Sequence, residues 1–581
     1  MSTSEIVGTP SASSKNASAS GSASQSKIWL KRYPPSIHHE VNIGKYKSLI
    51  EVVDDTCRQY GDLPAFTNMG VSLSFKEVRA QAHAFASFLQ NDLKMKKGDR
   101  LAIQMPNLLQ YPVAMFGALE AGVVIVNTNP LYTPREMEHQ FKDSGATAIL
   151  IVENFADKLA EILPNTPIKH VILTEIGDSL PAPKRLLTNL VVRYVKKMVP
   201  AHGLTSAKTN LVRFRDALAR GKKSEFKPVS IGLKDLAFLQ YTGGTTGVSK
   251  AAMLSQENIL SNLFQMAEWM KPRLIEGQEQ VITALPLYHI FSLTVNCLGL
   301  FTIGVNNILI TNPRDIPAFL KLLQESNPTV MSAVSTLLGG LLAHPDFDKV
   351  NLSGLKVTVA GGMALKGSVA KEWKERTKTP VLEGYGLTET SPLATCNPLD
   401  GNDRIGTIGI PVPSTMVKIV DDDGNELPQG EAGEICVHGP QVMMGYYNRP
   451  EETAKVMMEG GWLRTGDVGL MEKDGFFRIV DRKKDMILVS GFNVYPNEVE
   501  DVIMTHPKVL EAAAIGIPDE HSGEVVKLFI VPRDPSLTVE EVMSFCREKL
   551  VAYKCPKKIE FRKELPKTNV GKVLRRMLKD S

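Results

Sequence analysis

The sequence has little that would staple it together or anchor it. Its six cysteines (Cys57, Cys297, Cys396, Cys436, Cys546 and Cys555) stand far apart except for the last two. None forms a Cys-x-x-Cys pair, so neither a zinc site nor a disulfide framework is indicated, and a reducing compartment is expected. Charge of one sign is also scarce. Against 67 Lys and Arg stand 63 Asp and Glu, leaving +4 over 581 residues, which offers no bulk argument for nucleic acid. There is no basic region leading into an apolar one near residue 1, so no secretory signal is expected. The closing Lys-Asp-Ser is not a targeting tripeptide. A clean membrane-spanning run is missing as well. Val281 to Pro313 holds no Asp, Glu, Lys or Arg, but Pro286, His289, Asn296, Gly299, Gly304, Asn306 and Asn307 interrupt it. That pattern predicts a buried strand–helix–strand segment rather than a span. Residues 1–28 are mostly small and polar and lack the apolar surface to offset ordering entropy, so a disordered tail is expected there.

What is present is globular. Apolar residues make up 43% and charged residues 22%, an ordinary composition, and at one domain per ~150 residues the length suggests roughly two to four units. Short apolar runs at Leu101 to Met105, Gly122 to Val126, Ala148 to Val152 and Val171 to Thr174 alternate with helical stretches. This predicts a layered α/β domain with a mostly parallel sheet. One helix start is fully written out: Thr133, Pro134 and Glu136 form a capping box with proline at the first helical position, and Gly145 follows the end. Lys356 to Ala360 reads as another central strand that breaks into Gly361-Gly362. Leu186 to Met198 is apolar with a basic edge of Arg185, Arg193, Lys196 and Lys197. It reads either as an amphipathic helix packed on the domain or as a helix lying on an anionic membrane surface. After about Ser414 the texture becomes short β-like runs separated by Asp/Gly turns. A charged patch, Asp481 to Asp485, then leads into a compact unit with a helix near Pro496, strands near Ala512 to Ile517 and Val526 to Val531, and a helix capped by Thr538 and Glu541.

The stretch most suggestive of chemistry runs from Gln240 to Ala252, QYTGGTTGVSKAA. Behind an apolar strand it sets three glycines and three threonines within six residues, Thr242 to Gly247. Glycine permits close backbone approach and threonine hydroxyls add donors, so this loop can wrap a polyphosphate, with Lys250 as a cation. It is not a Walker A loop, because Val248 and Ser249 separate Gly247 from Lys250. On its own it can also be read as a flexible Gly/Thr turn. Four more segments read as site material. His289, in Pro286-Leu287-Tyr288-His289, is either a buried structural histidine or a site residue. Gly384, Tyr385, Gly386, Thr388 and Glu389, in EGYGLTET, offer a cover for a purine face and a carboxylate for magnesium. Asp467, closing WLRTGD, suits a ribose diol. Lys572, in PKTNVGK, follows a flexible Asn-Val-Gly.

In this order the loop, PLYHIF, EGYGLTET, RTGD, DRKKDMILVSGFNVYP and PKTNVGK resemble the ordered motifs of the adenylate-forming superfamily of acyl-CoA synthetases, luciferases and peptide-synthetase adenylation domains. The resemblance runs from about residue 30 to 579, and Gly460 to Ile487 is similar to the fatty-acyl-CoA synthetase signature. It implies a large N-terminal domain, 29–482, of sheets packed with helices plus a small β-barrel-like subdomain. A hinge at 483–486 and a small mobile α+β domain at 487–581 would follow. It implies activation of a fatty acid by ATP to an acyl-adenylate, then transfer to the thiol of CoA, with Mg2+ as the metal. It assigns Thr242, Gly243, Gly244, Thr245, Thr246, Gly247 and Lys250 to the outer phosphates, and Thr242 with Glu389 to magnesium. Gly361, Gly362, Gly384, Tyr385, Gly386, Thr388, Asp467, Ile479 and Arg482 complete the nucleotide site. His289 would sit beside the acyl carboxylate and the α-phosphate, and Lys572 would bridge them. Rotation about Lys484 would exchange Lys572 for Ser490, Gly491 and Phe492, which would line the CoA channel. The expected place of work is the cytoplasm, with contact at the inner membrane carried as an expectation; the oligomeric state is left open, a homodimer among the options.

Overall fold

A computed structural model describes residues 27–205, 209–242, 249–568 and 571–579. Two sheets form the body of the large domain. The first has seven strands in the order Asn210–Arg213, His170–Thr174, Ala148–Val152, Arg100–Gln104, Val124–Asn127, Leu236–Thr242 and Lys250–Ser255. All its pairings are parallel except the last, where Leu236–Thr242 and Lys250–Ser255 run antiparallel as the two arms of a hairpin. The second has nine strands, with Val381–Gly386, Val357–Ala360, Val330–Ala333, Gln280–Thr283 and Asn306–Leu309 parallel in its centre. The apolar runs named from the sequence are central strands of these sheets, buried on both faces, which is why they lack an alternating pattern.

Helices Phe75–Asn91, Gln110–Glu120 and Gln256–Met270 belong to the shared core. Every residue of Gln110–Glu120 is buried, so its sequence shows no polar stripe. It lies against Phe75–Asn91 so closely that a Cβ on Gly117 would come within 2.6 Å of the Ala82 carbonyl oxygen. The Thr133 capping box forms as read, with the Glu136 N–H donating to Thr133 Oγ1 at 3.3 Å and Gly145 closing the helix at φ +62°. Val281 to Pro313 is the expected strand–helix–strand segment, Gln280–Thr283, Ile290–Leu300 and Asn306–Leu309. Among the described residues no helix is long and apolar enough to cross a membrane.

The barrel-like subdomain expected after Ser414 is instead an open sheet. Its five antiparallel strands are Met416–Val420, Gly433–His438, Trp462–Met471, Met457–Met458 and Phe477–Arg482. Among the strands of this sheet, Met416–Val420 pairs with Gly433–His438 and Phe477–Arg482 with Trp462–Met471, and no ladder joins the two outer strands among the described residues. The core of the large domain covers its inner face with Val417, Ile419, Ile435 and Val437, which removes the need to close on itself.

The C-terminal unit is a second five-stranded sheet, dominated by the long hairpin of Val509–Asp519 and Gly523–Pro532, with helices Pro496–Met504 and Val539–Lys549 and its own apolar cluster. The Glu541 N–H donates to Thr538 Oγ1 at 3.2 Å, the cap foreseen for the second helix.

Candidate active site

Three parallel strands of the nine-stranded sheet, Gln280–Thr283, Val357–Ala360 and Val381–Gly386, end on one side; the segments leaving the first two carry His289 and Gly361-Gly362, and Tyr385 stands near the end of the third. The carboxyl ends of parallel strands are the usual place for a ligand crevice in such sheets. Gly361 is confined: a Cβ there would meet the Gly384 carbonyl at 2.9 Å and the Phe291 ring at 3.2 Å. Gly362 takes φ +79° with nothing within 4 Å of the added carbon, so the turn opens onto free space.

The open sheet delivers the next group. Asp467 in Trp462–Met471 stands directly opposite Arg482 in Phe477–Arg482, and Arg482 Nε lies 3.3 Å from Asp467 Oδ1. The Tyr385 hydroxyl donates to Asp467 Oδ2 at 2.8 Å, and the Asp467 N–H donates to Thr465 Oγ1 at 3.1 Å. A buried carboxylate held by a cation and a phenol keeps a fixed orientation. Ile479 lies on the same strand as Arg482, paired with Gly469 on the same ladder.

Lys572 arrives from the C-terminal unit. Its N–H donates to Thr568 Oγ1 at 3.1 Å and its carbonyl accepts from the Thr568 N–H at 2.7 Å, a tight loop that projects the side chain. Gly571 sits at φ +84° against Thr336 of the large domain, so close that any Cβ would collide with the Thr336 hydroxyl. Burial, with Arg482 and Lys484 nearby and Asp467 opposing them, pulls the Lys572 pKa down to about 7. His289 caps the following helix by accepting the Phe291 N–H at Nδ1, 3.3 Å away. Burial and the Lys572 ammonium push its pKa to about 4, so the imidazole is neutral at ordinary pH. Lys572, Asp467, Arg482, Tyr385 and His289 thus converge from both domains.

The corner expected to take the outer phosphates falls only partly within the described residues. Thr242 and Lys250 pair across the two hairpin arms, while Gly243, Gly244, Thr245, Thr246 and Gly247 lie outside the described residues. The Thr388–Thr390 turn packs on both arms and brings Glu389 there. Two residues unremarked in the sequence complete this corner. The Tyr446 hydroxyl donates to Glu389 Oε1 at 2.7 Å. Lys250 Nζ stands 4.3 Å over the Tyr446 ring and 2.9 Å from Glu452 Oε2. A hydroxyl and a carboxylate are hard oxygen donors that fit magnesium, which binds few protein oxygens and keeps several waters. Among the described residues no cluster of three or more His, Cys, Asp or Glu could hold a metal by itself.

Glu383, at the head of EGYGLTET, is a group to which the sequence assigns no role of its own. The Leu365 N–H donates to its Oε1 at 3.1 Å, its buried Oε2 has no hydrogen-bond partner, and burial raises its pKa to about 7.

Ser490, Gly491 and Phe492 are not part of this convergence. Ser490 and Gly491 form the exposed turn between Ile487–Val489 and Phe492–Val494, with Ser490 at φ +51°, and the exposed Phe492 that opens the second strand stacks its ring on Tyr553 at 4.8 Å. Lys484 is exposed just after Arg482.

Comparison with known proteins follows the same outline. Residues 53–447 match the AMP-binding enzyme family, and residues 498–572 match the AMP-binding enzyme C-terminal domain. The chain is 53% identical over 554 residues to a long-chain-fatty-acid–CoA ligase of Salmonella typhimurium, covering 95% of this chain and 98% of that one. It is 38% identical over 556 residues to the ligase of the same name from Bacillus subtilis, covering 95% and 97%. Among solved structures, ATP-bound MatB from Rhodopseudomonas palustris has a TM-score of 0.76 at 28% identity, covering 91% of this chain and 98% of that one. The anthranilate CoA ligase AuaEII in complex with anthranoyl-AMP has the same fold, with a TM-score of 0.81 at 24% identity over 93% and 98% of the two chains.

Proposed function

The chain belongs to the AMP-binding enzyme family, and from that premise we propose that it is a long-chain-fatty-acid–CoA ligase, an AMP-forming acid–thiol ligase. The observation that carries this reading is the meeting of Lys572 from one domain with Asp467, Arg482 and His289 from the other. A fatty carboxylate oxygen attacks the α-phosphorus of ATP; a C(O)–O–P bond forms, the bond to the β-phosphate oxygen breaks, and pyrophosphate leaves. Two anions must approach, so catalysis is positioning and electrostatics. The Lys572 ammonium bridges the carboxylate and the α-phosphate. Phosphate groups around it raise its pKa from the depressed value of the free site, so it is charged when occupied. Asp467, aimed by Tyr385 and Arg482, accepts the ribose hydroxyls, and the Gly361-Gly362 turn leaves room for the base beside Tyr385. Neutral His289 serves as a hydrogen-bonding wall beside the carboxylate rather than as a second cation. Thr242 and Glu389 would hold Mg2+, which neutralises charge on the departing phosphates, and Lys250 lies on the same side.

In the second step the CoA sulfur attacks the acyl carbonyl, the carbonyl–phosphate oxygen bond breaks and AMP leaves. With Lys572 inside and Ser490–Phe492 outside, the described arrangement suits the first step. A turn about Lys484 would withdraw the one and bring in the other, hinge movement of the kind expected where one site performs two reactions. The cytoplasm is the proposed place of work, with peripheral contact at the cytoplasmic face of the inner membrane.

The test is pyrophosphate release in the presence of CoA across free fatty acids of increasing length. Release that grows from short to long chains is expected; none with any fatty acid would overturn the substrate class.

A further inference from the structure

Helix Ala182–Leu190 continues directly into Val191–Val195, and neither segment contains a buried residue. The helix is amphipathic in the reverse of the usual sense. Its polar side chains hold it to the domain. Asn189 Oδ1 accepts the Gly177 N–H at 2.8 Å, and Arg193 Nη2 reaches Glu153 Oε2 at 2.5 Å and Glu175 Oε1 at 2.8 Å. Most of its apolar side chains face outward, Val191 and Val192 being half-buried. Leu186 is 66% exposed, Leu187 64%, Leu190 53%, Tyr194 69%, Val195 65% and Met198 53%. Leu186, Leu190 and Tyr194 follow at intervals of four and Leu187 lies between their rows, so they form one stripe. Water is a poor solvent for such a stripe, and an ordinary surface helix turns it inward.

The charge around the stripe says what covers it. No aspartate or glutamate occurs between Asp178 and Asp216. Lys184, Lys196 and Lys197 are exposed and Arg185 is half-exposed along the same segment. Lys184 is tied to the Met69 carbonyl, which places the partly exposed Met69 beside the helix. An apolar ridge flanked by cations, with an aromatic ring among them, matches the boundary between lipid headgroups and acyl chains.

We propose that this outward face docks on the surface of an anionic phospholipid bilayer. It deepens the reading of the chain as a fatty-acid–CoA ligase, because long fatty acids partition into membranes, and it rests on that reading for its purpose but not for its test. The leucines and Tyr194 enter the headgroup boundary, and Lys184, Lys196 and Lys197 meet the lipid phosphates. The polar contacts of Asn189 and Arg193 stay with the domain, so docking needs no refolding.

The experiment is co-sedimentation of the full chain with vesicles of phosphatidylcholine alone or mixed with phosphatidylglycerol, at low and high salt. Wild-type protein is expected to sediment with mixed vesicles and to be released by salt. The triple variant Leu186→Gln, Leu190→Gln, Tyr194→Ser and the double variant Lys196→Glu, Lys197→Glu are each expected to bind at least about tenfold more weakly. Both keep wild-type turnover of octanoate in solution, which certifies folding. No vesicle binding by wild type, or undiminished binding by both variants, overturns the proposal. So does a lipid-free dimer that the triple variant abolishes, with no vesicle binding, because a second copy then covers the face. If wild type binds vesicles through this face but activates no fatty acid, the ligase reading falls and the docking surface stands.

Discussion

Arg575 Nη1 lies 3.4 Å from Asp481 Oδ1, joining the strand that ends the large domain to the residue three places beyond Lys572. The same guanidinium reaches Asp485 at 3.3 Å, Glu500 at 2.8 Å and the Asn497 side-chain carbonyl at 2.6 Å. One cation therefore gathers three carboxylates around the segment proposed as the hinge, and the closing helix that carries it fixes where the Lys572 loop ends.

Removing that cation leaves Asp481, which is fully buried, and Glu500 without a counter-charge. Breaking such a pair costs about 3–5 kcal/mol. Arg575→Met is expected to lower the thermal midpoint of the C-terminal unit and to slow pyrophosphate exchange. Asp481→Asn added to it should restore part of the lost stability, measured by calorimetry; a drop no smaller in the double variant would argue against the pairing.

Lys572→Ala is expected to reduce adenylate formation by about a hundredfold or more, the scale of losing one charged transition-state contact. Thioesterification from supplied acyl-adenylate should stay within a few-fold of wild type. Equal loss in both half-reactions would remove Lys572 from its assigned role.

The depressed pKa of Lys572 has a pH signature. The ammonium is present below its pKa of about 7 and lost as pH rises through it, so kcat/KM for adenylation, which reports the free enzyme, should fall above neutrality. Lys572→Arg, whose charge does not titrate there, should lack that limb whatever its absolute rate. Identical profiles in the two proteins would assign the limb to another group.

Lys484→Pro restricts the backbone where rotation is proposed. Thioesterification is expected to suffer more than adenylation, read as near-normal pyrophosphate exchange beside poor overall turnover. An exchange rate that drops as far as turnover would refute the hinge position.

Tyr446→Phe deletes one hydrogen bond to a carboxylate, a contact worth about 1.5–3 kcal/mol. Glu389 loses its orienting phenol, so the Mg2+ concentration needed for half-maximal adenylation is expected to rise roughly tenfold with little change in melting temperature. An unchanged metal dependence would separate Tyr446 from the site.

The parts of the site that were legible in advance are those whose chemistry is local. Asp467 follows a Thr-Gly turn that aims it, Lys572 follows a glycine that frees it, and Gly361-Gly362 ends a strand that could only be central. Tyr446 and Glu452 gave no such signal. They lie some 200 residues from Lys250, and only packing of the segment near 446 on the Leu236–Ser255 hairpin brings them to it. Glu383 was visible as a letter in a motif, but its unpartnered oxygen and raised pKa are consequences of burial that no spacing encodes.

The sequence alone determined the strands, the caps and the order of the site segments, because apolar runs, capping residues and glycine turns act over a few bonds. It also determined the composition of the Leu186–Met198 helix, yet left both of its orientations open. Tertiary structure decided that the apolar side faces out, because Arg193 finds two buried or half-buried carboxylates on the domain and the leucines find no pocket. It likewise decided that the strands after Ser414 stay an open sheet, since the large core already covers their inner face. And it decided which of two rivals occupies the centre: Lys572 stands in the cleft and Ser490–Phe492 outside it. That choice depends on the angle between two domains, and no local pattern of residues carries it.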